Sequence, residues 1–419
     1  MKRILIVATT TGYQIRSFGE AAGKLGVRLT FASDRCDRLA DPWWDQAIPI
    51  RFHDEAASLR HIVDAFGSTP PDGVIAVGDR PVAIAACASE AFGLAGNPAA
   101  AARASRNKLE SRRMLDAAGL PVPAFRTVSV AEDAAATAVS LSYPVVLKPV
   151  AMSGSRGVIR ADDAPEFVRA FDRIRKLLEQ RDVRAERDSV HERLLIESFI
   201  TGTEYAVEGV LTNGRLRHFA IFDKPDPLDG PFFEETIYVA PTRAAEEVQS
   251  RIVSAVAAGI AAIGLRHGPI HAECRVNDRG VYLLEIAARP IGGLCSKALR
   301  FESPGGEASL EEVLLRHALG EDVSPYARER AASGVMMIPI PRRGIYRGVE
   351  GEGEARRVPD IVGLKITAKQ DAKLIPLPEG KSYLGFIFAH APTAAAVEQA
   401  LRAAHSKLRF QIDREIALV

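Results

Sequence analysis

The chain has 419 residues, too many for one ordinary hydrophobic core, and this length predicts two to four domains. Its 54 basic and 53 acidic residues leave a formal net charge of +1, which gives no reason to expect a nucleic acid or an anionic membrane as partner. No apolar run approaches the roughly 18 residues that span a membrane, and four cysteines without CxxC spacing favour a reduced, cytoplasmic protein. We expect small-molecule partners, and the sequence allows a homodimer.

Short apolar strands alternate with helical patterns over the first hundred residues. The strands are predicted at residues 4–8, 28–32 and 73–77, and the helices at 16–25 and 58–66. This spacing indicates right-handed βαβ units, so residues 1–100 are predicted to form an N-terminal α/β domain with a parallel sheet. Asp79 follows the third strand, where α/β sheets usually bind ligands, although a helix N-cap is the stronger alternative for this residue.

A linker helix is predicted from Ser105 to Ala118, because a capping residue opens the pattern and Gly119 closes it. Lys108 lies in the first turn of this helix, beside the positive end of the helix dipole. A bound anion would explain that placement, although an exposed lysine there costs only a few tenths of a kcal/mol.

Lys148 ends a short buried-type strand, Pro144–Pro149, and residues 151–158 follow as a loop of small residues. The backbone N–H groups of such a loop can wrap phosphate oxygens, and its glycines let it open and close as a lid. An ordinary hairpin turn is the alternative. The tripeptide Gly380-Lys381-Ser382 imitates the end of a P-loop, but Ile375 stands where that motif requires glycine, so the match fails.

Residues 171–193 are highly charged and are predicted to be a solvated helix and a surface loop. Residues 194–210 then read as a strand, a tight turn and a strand. Backbone polar groups around Phe199 and Ile200 suit a flat adenine ring, and the Glu204 carboxylate can accept hydrogen bonds from ribose hydroxyls. An antiparallel hairpin without a ligand explains this stretch equally well.

Two β-rich runs flank the turn formers Asn277-Asp278-Arg279-Gly280 and predict a hairpin. If the loop is the three-residue kind with a left-handed glycine, Asn277 pairs with Val281, and Glu273 lies opposite Glu285. Facing carboxylates repel each other unless a cation or a proton lies between them, and oxygen ligands suit Mg²⁺ or Mn²⁺. A solvated face with Glu–Arg pairs is the alternative.

Strand alternation assigns the side chains of this hairpin to two faces. The polar face is predicted to carry His271, Glu273, Arg275, Glu285 and Arg289. The apolar face is predicted to carry Ile270, Ala272, Cys274, Val276, Tyr282, Leu284 and Ile286.

Residues 222–241 contain prolines, glycine and aromatics and are predicted to form an ordered loop over a cleft, with Lys224, Glu235 and Tyr238 as candidates for meeting a substrate. Surface charge is the alternative for each residue.

A helix is predicted at 308–319. From residue 334 onward short strands and one helix, Ala394–Leu408, predict a small α+β domain that walls the cleft.

Taken in order, Lys108, Lys148, the small-residue loop, Glu197-Ser-Phe-Ile, Glu204 and the Glu273–Arg289 hairpin resemble the ATP-grasp superfamily. Within it the chain most resembles the carboxylate–amine ligases that include the bacterial L-amino acid ligases, which make dipeptides. The resemblance covers most of the chain. It implies an N-terminal α/β domain (1–100), an ATP-grasp domain (101–330) with a lid subdomain at about 124–200, and a C-terminal α+β domain (331–419).

The resemblance also implies roles for individual residues. The ATP-binding residues would be Lys108 and Lys148 for the phosphates, with Gly154 and Ser155 as their cap; Glu197, Ser198, Phe199 and Ile200 for adenine; and Glu204 for ribose. Glu273 and Glu285 would bind Mg²⁺ or Mn²⁺. Lys148 and Arg289 would be catalytic, Arg289 by holding the substrate carboxylate and its phosphorylated form. Further substrate-binding candidates are Asp79, Glu235, Tyr238 and Gly292, the last because a glycine lets a bulky acyl group approach.

The implied function is ATP-dependent activation of a carboxylate, such as that of an amino acid, as an acyl phosphate, which an amine attacks to give an amide or dipeptide, ADP and phosphate. The base for the amine is left open between Glu235, Asp79 and phosphate. One departure concerns Ala287, since many ATP-grasp enzymes carry a metal-binding asparagine there, and a second metal ion is therefore in doubt. The alternatives are a bicarbonate-using carboxylase, which Ala287 disfavours, and a non-catalytic ATP-binding module.

Overall fold

The structure is a computed structural model, and it describes residues 1–10, 14–34, 47–303 and 305–415. One of the four cysteines counted above, Cys36, lies outside the described residues. None of the helices in the described ranges combines the length and the apolar character needed to cross a membrane.

The N-terminal part is built on a parallel four-stranded sheet. Its elements in chain order are β1 (Arg3–Ala8), α1 (Ile15–Leu25), β2 (Arg28–Ser33), β3 (Ile48–Pro49), α2 (Glu55–Phe66), β4 (Gly73–Val77) and α3 (Val82–Ala91). The strand order is β3-β2-β1-β4 and every pair is parallel, as predicted. The central strand β1 is fully buried from Ile4 to Val7, because a parallel sheet of this kind is covered on both faces.

The linker is two helices, α4 (Ala99–Arg106) and α5 (Lys108–Ala117), so the prediction of one helix starting at Ser105 was wrong. Asn107 breaks the run with an extended backbone. Its side-chain oxygen caps α5 by accepting hydrogen bonds from the N–H groups of Leu109 and Glu110, both at 3.1 Å. Lys108 is therefore the first residue of α5.

A second, antiparallel sheet follows and is called the lid below (residues 125–198). Its elements are β5 (Phe125–Ser129), α6 (Ala134–Ala138), β6 (Val145–Pro149), β7 (Ile159–Ala161), α7 (Ala164–Leu178), α8 (Arg181–Arg184) and β8 (Arg193–Ser198), with strand order β5-β8-β6-β7. The prediction of a solvated helix at residues 171–193 was wrong at its start. Phe171 and Ile174 in α7 are buried with Phe167 in the lid core, because α7 is amphipathic and only its outer face is charged.

The central sheet has eight strands in the order β13-β12-β9-β10-β11-β17-β21-β19. The elements that follow the lid are β9 (Thr203–Thr212), β10 (Arg215–Asp223), β11 (Ile237–Ala240), α9 (Glu246–Ile263), β12 (Gly268–Asn277), β13 (Gly280–Ala287), β14 (Arg300–Ser303), β15 (Gly306–Ser309), α10 (Leu310–Ala318) and β16 (Ala327–Arg328). Of these, β14, β15 and β16 form a separate three-stranded sheet. The C-terminal elements are β17 (Ala332–Ile338), β18 (Gly344–Glu350), α11 (Glu352–Arg356), β19 (Ile361–Ile366), β20 (Lys373–Leu374), β21 (Gly385–Ala391), α12 (Ala394–His405) and β22 (Arg409–Asp413). Strands of the C-terminal part thus extend the sheet that carries the β12–β13 hairpin.

Strands β8 and β9 belong to different sheets, β8 to the lid and β9 to the central sheet. The antiparallel hairpin considered for residues 194–210 is therefore not present. The segment 199–202 instead connects the two layers, at the place where adenine binding was predicted.

The β12–β13 hairpin has a two-residue loop, because Asn277 pairs with Gly280 and Val276 with Val281. The predicted three-residue loop was wrong. An irregularity then shifts the register: Cys274 pairs with Leu283 but Glu273 pairs with Glu285, which leaves Leu284 as the extra residue of a β-bulge. Glu273 lies opposite Glu285 as predicted, through a bulge rather than through the turn.

The bulge also corrects the predicted apolar face. Val281 and Leu283 are in the core with Ile286, whereas Tyr282 and Leu284 are only half-buried. From Val281 to Leu283 the buried positions of β13 are therefore shifted by one residue from the predicted ones. From Glu285 onward the observed and predicted faces agree.

Candidate active site

The facing carboxylates of Glu273 and Glu285 are each close to a cation from another element. The Lys108 Nζ lies 3.2 Å from a Glu285 oxygen, and the Lys224 Nζ lies 3.1 Å from a Glu273 oxygen. The two residues pair directly across the hairpin, so both carboxylates face the same side of it. Burial lowers the pKa of Arg289, but Asp79 and then Glu285 outweigh it and raise that pKa above its usual value. Burial raises the pKa of Glu273, but Lys224 and His271 outweigh it and hold that pKa well below its usual range. The two side chains are therefore brought together beside one of the two predicted phosphate lysines. Glu–Arg pairs, the alternative considered for this face, are also present, at 3.9 Å between Arg289 and Glu285 and at 3.0 Å between Arg275 and Glu204.

Arg289 connects the hairpin to the N-terminal part through Asp79. Its Nε donates to the Asp79 carboxylate at 2.8 Å, and a second nitrogen donates at 3.4 Å. Burial raises the pKa of Asp79, but Arg289 outweighs it and the pKa is lowered overall. Asp79 does not cap a helix, since α3 has Pro81 at its N-cap. Its carboxylate instead contacts Arg289, and its role in substrate binding stays a prediction.

Lys148 does not stand alone, because Glu197 and Arg112 form a buried group with it. Glu197 accepts from the Arg112 Nε at 2.6 Å and forms an ion pair with Lys148. Burial raises the pKa of Glu197, but Lys148 and then Arg112 outweigh it and lower that pKa to about 2. Arg112 also donates to the Leu283 carbonyl at 2.6 Å, so it ties the lid strand β8 to the hairpin.

The loop of residues 151–158, called the glycine-rich loop below, connects β6 to β7, which pair antiparallel. It is thus a hairpin loop in topology, and it also borders the site, because the Lys108 Nζ donates to the Met152 carbonyl at 2.7 Å. Gly154 and Ser155 both have left-handed backbones, with φ of 64° and 53°. A Cβ added at Gly154 would meet no atom within 4 Å, so a ligand has room to approach this residue.

Part of the predicted adenine segment is already engaged by the protein. The Phe199 N–H donates to the Pro144 carbonyl at 3.0 Å, and the Ile200 carbonyl accepts from Arg275 at 2.6 Å. Ser198 is fixed by two hydrogen bonds with the backbone of Ala124. These contacts hold the connection between the two sheets in one position.

A cluster of charged residues lies beneath this connection. The Lys224 Nζ lies 2.8 Å from Glu204 and 2.5 Å from Glu235, in addition to its contact with Glu273. The other oxygen of Glu204 accepts from Arg275 at 3.0 Å. Burial lowers the pKa of Lys224, but the three carboxylates outweigh it and raise the pKa well above its usual value.

Glu235 and Tyr238 belong to the same cluster. Burial and the neighbouring Glu273 raise the pKa of Glu235 to about 7. The Tyr238 hydroxyl donates to Glu273 at 3.4 Å. Across the ranges that the structure describes, Glu204, Glu235 and Glu273 are the one trio of acidic, histidine or cysteine side chains whose ligand atoms lie within 4.8 Å of one another. That trio contains Glu273 but not Glu285, and Lys224 contacts all three of its carboxylates.

The comparisons with known proteins agree with this geometry. Residues 141–298 match the family of ATP-grasp domains, residues 19–96 match the ATP-grasp N-terminal domain, and residues 336–413 match the L-amino acid ligase C-terminal domain 2. The chain contains an ATP-grasp domain. The predicted resemblance and fold class are thereby confirmed, and the ATP-grasp fold implies the use of ATP and a divalent metal ion.

Within the superfamily this ATP-grasp protein is L-amino acid ligase-like. The crystal structure of an L-amino acid ligase from Bacillus licheniformis is similar over 99% of both chains, with a TM-score of 0.77 and 26% identity. Alanine–anticapsin ligase from Bacillus subtilis (strain 168) is 26% identical over 244 residues, 55% of this chain and 50% of that protein. Carnosine synthase 1 from Homo sapiens is 26% identical over 355 residues, 80% of this chain and 42% of that protein. The chain spans about half the length of the curated relatives it matches.

Sequence reasoning missed a buried pair behind the site of this ATP-grasp protein. Glu208 is fully buried and its carboxylate contacts the His271 Nδ1 at 3.1 Å, while the Ile291 N–H donates to it at 3.1 Å. The other ring nitrogen of His271 lies 3.4 Å from Glu273. Strand alternation in β9 places Glu208 on the same face as Glu204, and that signal could have found it. Arg112 was also missed, although its position four residues after Lys108 places it on the same face of α5.

Proposed function

We propose that this ATP-grasp protein is an ATP-dependent ligase that activates a carboxylate as an acyl phosphate and joins it to an amine, releasing ADP and phosphate. The observation that carries the proposal is the contact of Glu285 with both Lys108 and Arg289. Through these contacts the candidate metal ligand Glu285 lies beside Lys108, which would bind phosphate, and beside Arg289, which would bind the substrate carboxylate. The similarity to an L-amino acid ligase over 99% of both chains supports an amino acid as the acid or the amine.

The charges of the site suit the first step of this reaction. A substrate carboxylate must attack the γ-phosphate of ATP, which brings two anions together. Lys108 and Lys148 would contact the phosphates, and the backbone around Gly154 and Ser155 would cover them. The segment Glu197–Ile200 would hold adenine. Glu204 would bind ribose. Because one of its oxygens contacts Lys224 and the other contacts Arg275, one oxygen would have to accept a ribose hydroxyl in addition to its present partner.

The residues also fit a divalent metal ion. Glu273 and Glu285 offer only oxygen, face the same side, and are held in place by cations, which suits Mg²⁺ or Mn²⁺. When bound, such an ion would neutralise charge on the transferring phosphate. Ala287 is buried and offers no ligand atom, so these two carboxylates are the protein ligands that we propose.

Arg289 would hold the substrate carboxylate, with Asp79 fixing the orientation of the guanidinium. Beyond Arg289, a Cβ added at Gly292 would meet no atom within 4 Å, which leaves room for an acyl side chain. Glu235 and Tyr238 would face the amine. Its attack on the acyl phosphate forms the C–N bond and releases phosphate. Between the two carboxylates considered as the base, Asp79 is the weaker, because its lowered pKa means a low affinity for the proton that it would have to accept from the amine, whereas the pKa of Glu235 is raised.

The test is phosphate release from ATP with purified protein. Pairs of amino acids, bicarbonate and ATP alone are compared, and products are identified by mass spectrometry. We expect release that depends on an amino acid together with an amine, with a product heavier than either substrate. Release that depends on bicarbonate would support a carboxylase instead, and ATP binding without turnover in any mixture would support a binding module.

A further inference from the structure

The glycine-rich loop is attached at its far end to a turn of the C-terminal part, residues 376–381. The Gly157 N–H donates to the Pro378 carbonyl at 2.8 Å, and the Arg156 Nε donates to the Glu379 carbonyl at 3.0 Å. These contacts join positions more than 200 residues apart. The turn includes Gly380 and Lys381, the first two residues of the tripeptide that failed to match a P-loop, so the glycine there needs another explanation.

Arg156 is the centre of this attachment. It is only 7% exposed, although it carries a charge. Besides the Glu379 carbonyl, its guanidinium donates to Asp182 at 3.0 Å and to Gln180 at 2.9 Å, both at the end of the lid helices. A buried guanidinium that is satisfied by three partners is held in one orientation, and the loop residues beside it are held with it.

Glu379 connects the turn to the lid a second time. Its carboxylate accepts two hydrogen bonds from Arg173 in α7, one of them at 3.0 Å. This bidentate ion pair fixes the relative orientation of the two side chains, although Arg173 is part-exposed. A third contact, between Lys381 and Asp182 at 3.0 Å, is exposed and contributes little.

The turn itself is rigid. The Gly380 N–H donates to the Pro376 carbonyl at 2.8 Å, and a Cβ added at Gly380 would lie 1.8 Å from the Ile375 carbonyl oxygen. Only glycine fits there without a backbone shift. The glycine in Gly380-Lys381-Ser382 is thus explained by a tight turn that presents the Glu379 carbonyl and carboxylate to the lid.

We propose that the turn at residues 376–381 is a latch that holds the glycine-rich loop closed over the site, with Glu379 and Arg156 as its positioning residues. The latch deepens the proposed function and rests on it. Water hydrolyses an acyl phosphate to the free acid and phosphate. If the loop opened before the amine had reacted, water would enter and the intermediate would be lost without amide formation. The C-terminal part would therefore control how completely ATP use is coupled to amide formation.

The test uses the full chain and the variant Glu379→Ala, which removes the Arg173 contact. Amide hydrogen exchange of residues 152–158 is measured first, without nucleotide, and we expect it to be roughly fivefold faster than in the wild type. Phosphate release is then compared with amide formed. The wild type should give equal amounts, and the variant should give roughly threefold more phosphate than amide. Unchanged exchange in the variant would overturn the latch.

Two further variants separate the latch from a general loss of stability. Glu321→Ala removes an exposed pair of 2.6 Å with Arg316, away from the lid, and should change neither measurement. The exchange of charges in Arg173→Glu with Glu379→Arg should restore both measurements toward the wild type. A double variant as defective as Glu379→Ala alone would overturn the pairing. If the wild type neither binds ATP nor forms an amide, the proposed function fails, whereas the exchange measurement still decides the latch.

Discussion

Lys108 and Glu285 lie 3.2 Å apart, Lys108 as the first residue of α5 and Glu285 as the residue after the bulge in β13. The lysine is at an unfavourable end of its helix dipole, and the carboxylate faces another carboxylate across the hairpin. Each residue offsets the electrostatic cost of the other. A triphosphate and its metal ion would then replace this contact with stronger ones.

Glu285→Gln should reduce ATP-dependent amide formation by roughly a hundredfold or more, because it removes a proposed metal ligand. The amide keeps the size of the side chain, so the thermal unfolding midpoint should stay close to that of the wild type. Glu302→Gln on the exposed strand β14 is the control and should remain active. Near-normal turnover in Glu285→Gln would refute the metal role.

Arg112→Met should destabilise the protein by about 3–5 kcal/mol, because it leaves the Glu197 carboxylate buried with only Lys148. Arg113→Met is a matched control on the next residue of α5, where the pair with Glu110 is exposed, and it should cost less than about 1 kcal/mol. Urea unfolding measures both. Equal effects of the two substitutions would contradict the structural role of Arg112.

The stability of the protein should fall as the pH drops from about 6.5 towards about 4, in part because of His317. Burial, with the stacked ring of His267 at 4.4 Å, lowers the pKa of His317 to about 4. Over this window the unfolded histidine binds a proton and the folded one does not, which favours unfolding as the pH falls. The contribution is on the order of 2 kcal/mol, and it is absent above pH 6.5, where both states are neutral.

His317→Gln should remove this part of the pH dependence, as measured by urea unfolding between pH 4.5 and pH 7.5. His53→Gln changes an exposed histidine and should leave the pH dependence as it is in the wild type. A pH profile that is the same in His317→Gln and the wild type would show that His317 is not the group responsible.

Gly259→Val should destabilise the protein by about 1–3 kcal/mol through overpacking. A Cβ at this position of α9 would lie 2.4 Å from the Leu283 side chain and 2.6 Å from that of Ile286, both on the core face of the hairpin. Gly23→Ala in α1 is the control, because a Cβ there meets no atom within 4 Å and alanine favours a helix. Thermal unfolding distinguishes them, and a Gly259→Val protein as stable as the wild type would show that the hairpin shifts to make room.

The parallel N-terminal sheet was predictable because each strand and helix there carries its own periodic signal. The Glu273–Glu285 pairing was predicted correctly for an incorrect reason. Residues 281–284 are all apolar or aromatic, so the sequence does not show where the alternation shifts by one residue at the Leu284 bulge. That shift compensated for the assumed loop length.

Relationships between distant segments could not be predicted. Nothing local to residues 194–210 indicates that β8 and β9 join different sheets, because both have the pattern of ordinary strands. The ion pairs of Lys224 and Arg112 likewise depend on which strands become neighbours. The candidate site residues were predicted from their order along the chain, whereas the side chains that contact them became known only from the fold.

The pairing of β11 with β17 in the central sheet limits how far the protein can be shortened from its C-terminal side. Strand β11 pairs with β17 along residues 237–240, all of them buried, so β17 covers what would otherwise be the edge of the sheet. A fragment that stopped before β17 would present an apolar, unpaired strand to solvent, and such edges promote aggregation. The C-terminal strands therefore act as an edge cap for the layer that carries the paired carboxylates, and we expect a fragment without them to aggregate.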